Sequence, residues 1–431
     1  MTTVAPATKP RDPDAGQPGW QITLYAVWAG QILALIGFSS RVPYLPFFLG
    51  DLGVTTVDGQ ALWSGAINAA GAAAMAITAP IWGLVADRIG RKPMLMRGLF
   101  GGALSVGLMA FVTAPWQLAA LRILEGTLTG TVVAATALVA TSAPRHRLGY
   151  ALGMVQTAVF AGAAAGPLLG GIAYDRVGAR ATFGVAGMML FLGGVLVTVF
   201  AREHFVPAPR VSPTAANRGQ RFRESGAFLF SLAMLTMFAA IFVIRMTAMA
   251  MQPVIPLFVH ELAPDNPDVA TVAGFVLGVG GLTSALAAAF LGRLGDRTGH
   301  RRVLTVSLLA AGVMYLPMAL VRAPWQLALL QAALGVAAGG LIPSTNARIA
   351  HLTPLARRGM VFGLTATLSG LGGFIGPLLG ALLATGFGFR ASFVAAGSLL
   401  LATGGMVIVA TAIAEGRRST SREAHGEEAA V

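Results

Sequence analysis

After a polar, Pro-rich start the chain alternates long apolar runs with short polar loops. Each run holds about 20 residues or more, enough to cross a hydrocarbon layer about 30 Å thick as a helix. Lipid offers a free backbone no hydrogen-bond partner, so a spanning segment is a helix or part of a closed barrel. Period-2 alternation is absent and the runs are longer than barrel strands. The pattern therefore predicts an all-α integral membrane protein. Its twelve transmembrane helices fall at 22–49, 58–86, 94–113, 115–141, 149–174, 180–201, 227–260, 268–293, 303–321, 325–350, 359–385 and 389–413. Residues 1–21 form a tail, 22–201 a first six-helix bundle, 202–226 a polar connecting loop and 227–413 a second bundle. The tail 414–431 is polar from Glu415 on and reads as disordered.

The bundles are copies of one another. The run Gly83, Asp87, Arg88, Gly90, Arg91, Lys92 returns imperfectly as Gly292, Asp296, Arg297, Gly299, His300, Arg301, an offset of 209. At the same offset Ala114-Pro115-Trp116-Gln117-Leu118 returns as Ala323-Pro324-Trp325-Gln326-Leu327. Gly166-Pro167-Leu168-Leu169-Gly170 matches Gly376-Pro377-Leu378-Leu379-Gly380 at an offset of 210, and Pro43/Pro46 matches Pro253/Pro256. Landmarks in one order at one spacing make two pseudo-symmetric halves that run the same way. Solute transporters are built like this.

Charge changes the picture by its placement. The net charge of +13 is compatible with a nucleic-acid partner, but Lys and Arg collect in every second loop. They stand at Arg88/Arg91/Lys92, Arg145/Arg147, Arg202 to Arg223, Arg293 to Arg302, Arg357/Arg358 and Arg417/Arg418/Arg422, whereas 42–86 and 246–292 have none. That is the positive-inside pattern. It puts both termini and the connecting loop in the cytoplasm, and it assigns the charge to topology and anionic lipid, not DNA. No cysteine is present, so disulfides and thiolate chemistry are excluded. The six His fall in loops or at helix ends without ligand spacing, so no metal site is expected. No nucleophile–base constellation is visible, and an enzyme is not expected. The Gly278 to Thr283 stretch lies inside an apolar helix, and no phosphate-loop lysine motif exists to support ATP drive. No cofactor is called for, and the chain is read as a monomer in lipid.

Three motifs refine the class. Gly83, Asp87, Arg88, Gly90, Arg91 and Lys92 sit in the loop between helices 2 and 3. Glycine permits the tight turn there, and an Asp beside an Arg can pair with the next helix or lie against a neighbouring helix N-terminus. Such a latch would hold the outward-open state and break as the halves rock. The second copy keeps Asp296 and Arg297 but has His300 where Arg91 stood, so a weaker latch is expected there. In helix 5, Gly153, Gly162, Gly166, Pro167, Gly170 and Gly171 form a stripe of small residues that lets two helices touch closely at a hinge between the halves. Helix 11 repeats it at Gly363, Gly372, Gly376, Pro377 and Gly380, and helix 1 offers Gly37, Pro43 and Pro46. Together these motifs resemble those of the major facilitator superfamily, over essentially all residues from Trp20 to Ala414. The helix 1 and helix 5 patterns are similar to those of its twelve-helix drug:proton antiporters. The resemblance implies two rocking six-helix bundles and proton-coupled export of small amphipathic compounds by alternating access. A sugar or metabolite transporter of the same fold is the alternative.

Charges inside the helices point to the chemistry, because each is costly at depth. They are Arg41 in helix 1, Arg122 and Glu125 in helix 4, and Arg245 in helix 7. Glu125 is ten residues in from Pro115, about 15 Å at a rise of about 1.5 Å per residue, which puts it near the midplane. Arg122 lies one turn away on the same face. Two readings of Glu125 stand. A buried carboxylate can bind and release the driving proton, or Arg122 and Glu125 can be a permanent pair that offsets its own desolvation. Three embedded positive charges against one negative predict a preference for neutral or anionic compounds over lipophilic cations. Further cavity candidates at similar depth are Gln31, Phe38, Gln156, Phe160, Phe242, Met249, Gln252, Asn346 and Phe374.

Overall fold

The computed structural model describes residues 17–203, 205, 231–354 and 357–428, with side chains described to Ile413. Most of the predicted N-terminal tail, most of the loop 202–226 and the first residues of helix 7 lie outside the described residues. Every regular element described is helical. We number the transmembrane helices α1–α12. In the first half they are α1, Trp20–Ser39 continued by Leu45–Asp51; α2, Val57–Ile89; α3, Arg91–Leu108; and α4, Pro115–Leu128 continued by Thr131–Ser142. Helices α5 and α6 share the run Leu148–Phe200, which turns at Gly178. The second half has α7, Leu232–Leu262; α8, Val269–Thr298; α9, His300–Met318; α10, Pro324–Gly339 continued by Leu341–Leu352; α11, Arg358–Phe387; and α12, Phe389–Glu428.

Ten helical runs are long and apolar enough to cross a membrane, and one of them, Arg145–Phe200, carries 56 residues. That run makes two crossings, since Gly178 adopts φ 77° and ψ 168°, a conformation open to glycine, and reverses the chain without a loop. Helix α9, whose first turn carries His300, Arg301 and Arg302, supplies the remaining crossing, and twelve result. Each half has its own buried core. The first centres on residues such as Val27, Leu99 and Phe183, the second on Phe258, Leu304 and Phe393.

The predicted boundaries need four corrections. Helix 1 is broken at Ser40–Tyr44, where Pro43 and then Pro46 remove backbone donors. Helix 4 is broken at Thr129–Gly130, with Gly130 at φ 114°. Helix 10 changes segment at Gly340. The tail predicted to be disordered continues α12 as helix to Glu428, since lengthening a formed helix needs no new nucleus.

The halves meet at one end and part at the other. On the face opposite the basic loops, an added Cβ on Gly274 would strike the Pro167 carbonyl, and one on Gly171 the Ala270 carbonyl, so α5 and α8 touch backbone to backbone. Gly65 likewise lies on Pro377, somewhat less closely, which joins α2 to α11. Towards the basic face Gly83, Gly149, Gly153, Gly292, Gly359 and Gly363 have nothing within 4 Å of an added Cβ. The cleft between the halves therefore opens towards the basic face.

Candidate substrate and proton site

The break in α1 delivers Arg41 to the interior, and the break in α4 follows one turn after Glu125. There the two helices meet. Arg41 Nη2 lies 3.1 Å and Arg122 Nη1 2.8 Å from the same oxygen, Oε1 of Glu125. Arg122 Nη2 donates to Asn68 Oδ1 of α2 at 3.3 Å. All three ionic side chains are about nine-tenths buried or more. The other carboxylate oxygen, Glu125 Oε2, has no partner among the described residues, nor do Arg41 Nη1 and Arg122 Nε. Two cations therefore share one face of one anion, leaving polar atoms that a proton, a water or a substrate group can engage. Among the described residues no cluster suits a metal ion.

Neighbouring side chains hold the broken backbone in place. Trp82 Nε1 donates to the Thr127 carbonyl at 2.7 Å and Arg97 Nη2 to the Thr129 carbonyl at 3.0 Å, while the Arg97 guanidinium lies 3.7 Å from the Trp82 ring centroid. Gln31 Nε2 donates to the Thr131 carbonyl at 3.3 Å, so this cavity candidate ties α1 to the far side of the same break. The carbonyls freed by unwinding α4 thus find donors, as helix ends must. Sequence reasoning did not bring Asn68, Trp82 or Arg97 to the site. Arg97 carried a signal, being a cation one turn inside a predicted helix.

Among the described residues the remaining candidates make no hydrogen bond or ion pair with this cluster. Phe38 packs on Gly102 of α3, towards the first core. Gln156 of α5 is exposed, and Phe160, Phe242, Met249, Asn346 and Phe374 are half-buried. Gln252 Nε2 lies 3.4 Å from Met249 Sδ. Arg245 is held against Gly372, and its buried Nε has no partner among the described residues.

The helix 5 stripe divides its work. Gly162, Gly166 and Gly170 pack on Leu35, Ser39 and Ser40 of α1 within the same half, while Gly171 alone of the motif glycines meets α8 across the cleft. The expected hinge between halves is therefore mainly an α1–α5 seam, and α11 repeats it on α7 through Gly372, Gly376 and Gly380. In the loop motif Asp87 is exposed and makes no ion pair among the described residues. Glu203 takes the place expected for Asp87, since its two oxygens accept the N–H groups of Arg91 and Lys92 at 2.8 Å each. Lys92 Nζ returns the contact to the Thr198 and Ala201 carbonyls at 2.9 and 2.7 Å, so α3 and α6 cap each other. In the second copy Asp296 lies 3.1 Å from His300 Nε2, one turn along its own stretch of chain.

The two copies diverge at the ion cluster. With the repeat offsets, Arg41, Asn68, Arg122 and Glu125 correspond to Met251, Leu277, Gln331 and Leu334. The register is structural as well, for Gly71 rests on Arg122 as Gly280 rests on Gln331. The fold thus packs this position without any charge in the second half, with Met251 and Leu334 buried.

A model of the Major Facilitator Superfamily matches residues 27–266 and 237–431. Multidrug resistance protein MdtG of Salmonella typhimurium is 35% identical over 383 residues, 89% of this chain and 93% of that protein. Among solved structures, the bacterial homolog of the human lysosomal transporter Spinster aligns with a TM-score of 0.74 at 15% identity, covering 92% of this chain and 98% of that one. The human organic anion transporter MFSD10 aligns with a TM-score of 0.67 at 20% identity, covering 91% and 100%. Twelve duplicated helices around a cleft, the matched motifs and these relationships lead to one conclusion: the chain belongs to the Major Facilitator Superfamily.

Proposed function

We propose that this chain is a proton-coupled exporter of small amphipathic compounds, of the multidrug efflux kind, in a bacterial inner membrane. The basic face is the cytoplasmic one, with both termini on it, so the conformation here is inward-open. The observation that carries the proposal is the Arg41–Glu125–Arg122 cluster, which one copy of the fold has and the other packs without. Glu125 is the proton carrier. A proton arriving on the partnerless Oε2 makes the carboxyl neutral and weakens both ion pairs at once. The hold on α1 and α4 then loosens together with the seams that line the cleft, and substrate binds the clamped, proton-free form, so that its arrival expels the proton. Loss of the proton restores the clamp. Arg245 adds a second positive centre across the cleft, so the cavity favours neutral and anionic guests. The likeness to MdtG over nearly the whole chain supports efflux as the direction.

Two measurements test this. Purified protein should release protons when a binding compound is added, and Glu125→Gln should not. Inverted vesicles with an imposed pH gradient, acid inside, should take up the compound in exchange for protons. Proton release that is unchanged in the variant removes Glu125 from coupling, and flux running with the proton makes the chain a symporter.

A further inference from the structure

Asp175 stands half-buried near the outer end of α5, just before the Gly178 turn. Its Oδ2 accepts the backbone N–H of Thr271 at 2.7 Å. Thr271 belongs to the first turn of α8, in the opposite half of the molecule. The residue preceding that helix, Asp268, makes no side-chain cap of its own. First-turn N–H groups have no intrahelical partner, so α8 receives its carboxylate from the other half. Such a contact combines a charge-assisted hydrogen bond with the favourable end of the helix dipole. It closes where α5 and α8 already touch through Gly171 on Ala270 and Gly274 on Pro167. With backbones this close there is no slack, and parting the outer ends must break the bond.

Among the described residues the mirror interface has no such bond. Position 175 corresponds to Thr385 and position 271 to Leu62. Gly65 meets the Pro377 carbonyl as Gly274 meets that of Pro167, yet Thr385 turns its hydroxyl to the Leu382 carbonyl of its own helix at 3.2 Å. Close packing therefore seals α2 on α11 without an acid. The carboxylate at 175 adds a directional link on one side only.

We propose that Asp175 is a gating residue of the transport cycle: its carboxylate latches α5 to the first turn of α8 in the inward-open state and lets go when the outer side opens. The idea rests on alternating access, but its test reads distances and not transport, so the two can fail separately. The chain has no cysteine, which allows spin-label pairs at introduced cysteines without background. One pair goes on the outer face at Val177 and Pro267, another on the basic face at His146 and Thr298, all exposed. In full-length protein in lipid nanodiscs, Asp175→Ala should raise the ratio of outer-open to outer-closed molecules about tenfold, the scale of a charge-assisted bond. Outer distances should lengthen as basic-face distances shorten, a reciprocal change that a purely structural role would not give. Asp175→Asn keeps an acceptor without the charge and should shift the ratio less. Unchanged distance distributions in Asp175→Ala would overturn the latch. So would widening at both ends together, the mark of a loosened bundle.

Discussion

Replacing Glu125 by Gln removes one negative charge at nearly constant volume, and the effect on stability can be worked from the geometry. Two guanidinium groups sit 3.1 and 2.8 Å from the lost charge, buried, with no other carboxylate paired to them among the described residues. Unit charges about 4 Å apart interact by about 4 kcal/mol at the effective dielectric typical of proteins. Part of the loss is returned because the carboxylate no longer resists burial. Breaking a buried pair from one side typically costs about 3–5 kcal/mol, and the presence of two cations places Glu125→Gln at the upper end. A triple variant supplies the control. Arg41→Met, Arg122→Gln and Glu125→Leu together install the residues that the second half carries at the corresponding positions. Apolar replacement of a whole buried ion cluster is commonly neutral or stabilising, so the triple variant should fall within about 1 kcal/mol of wild type or exceed it. Thermal and denaturant unfolding in detergent measure both, and proton release is read on the same samples. The expected pattern is a destabilised single variant, a stable triple variant and no coupled proton release from either. A triple variant as unstable as Glu125→Gln, or a single variant within about 1 kcal/mol of wild type, would refute the idea that the carboxylate holds two otherwise unpaired cations.

Other outcomes follow from local geometry. Gly170→Ala sets a methyl on the Ser40 carbonyl and should cost about 1–3 kcal/mol or prevent accumulation of folded protein. Gly153→Ala, with nothing within 4 Å, should leave yield and melting unchanged. Glu203→Ala strips the acceptor from two N–H groups at the start of α3 and should cost about 1–2 kcal/mol, read as a lower melting temperature, with Glu203→Gln milder. Between matched amphipathic dyes, the anionic one should be exported faster than the cationic one, and the difference should shrink in Arg245→Gln. Faster export of the cation would contradict a positive cavity.

Some features of this protein were legible in the sequence because they are periodic. Hydropathy set the twelve crossings, and one fixed offset set the duplication, since both properties repeat and tolerate local error. The broken helices were half legible. Pro43 and Pro46 announce the break in α1, but the break in α4 follows from Gly130 in a left-handed conformation, and a lone glycine in an apolar run carries no mark of its φ. Charged groups deep in lipid named Arg122 and Glu125 as neighbours one turn apart on a helix. The partnership with Arg41, 84 positions away from Glu125, needs two helices to pack, and spacing does not encode that. Asn68 and Asp175 were invisible for the same reason, as ordinary polar residues whose partners lie on other helices.

The duplication nevertheless offers a way to find such residues from one chain. Fold requirements act on both copies alike, so a position that the fold needs should keep its character across the offset. The seam glycines do: Gly162, Gly166 and Gly170 of α5 are Gly372, Gly376 and Gly380 in α11, each packed against the first helix of its half. The cluster positions do not. Arg41, Asn68, Arg122 and Glu125 face Met251, Leu277, Gln331 and Leu334 across the repeat, a change from charge or amide to mostly apolar at four sites that meet in space. Asp175 against Thr385 is another such break in symmetry. A buried charge that a homologous half packs without is costly and unnecessary to the architecture, which supports the role in transport proposed for the cluster.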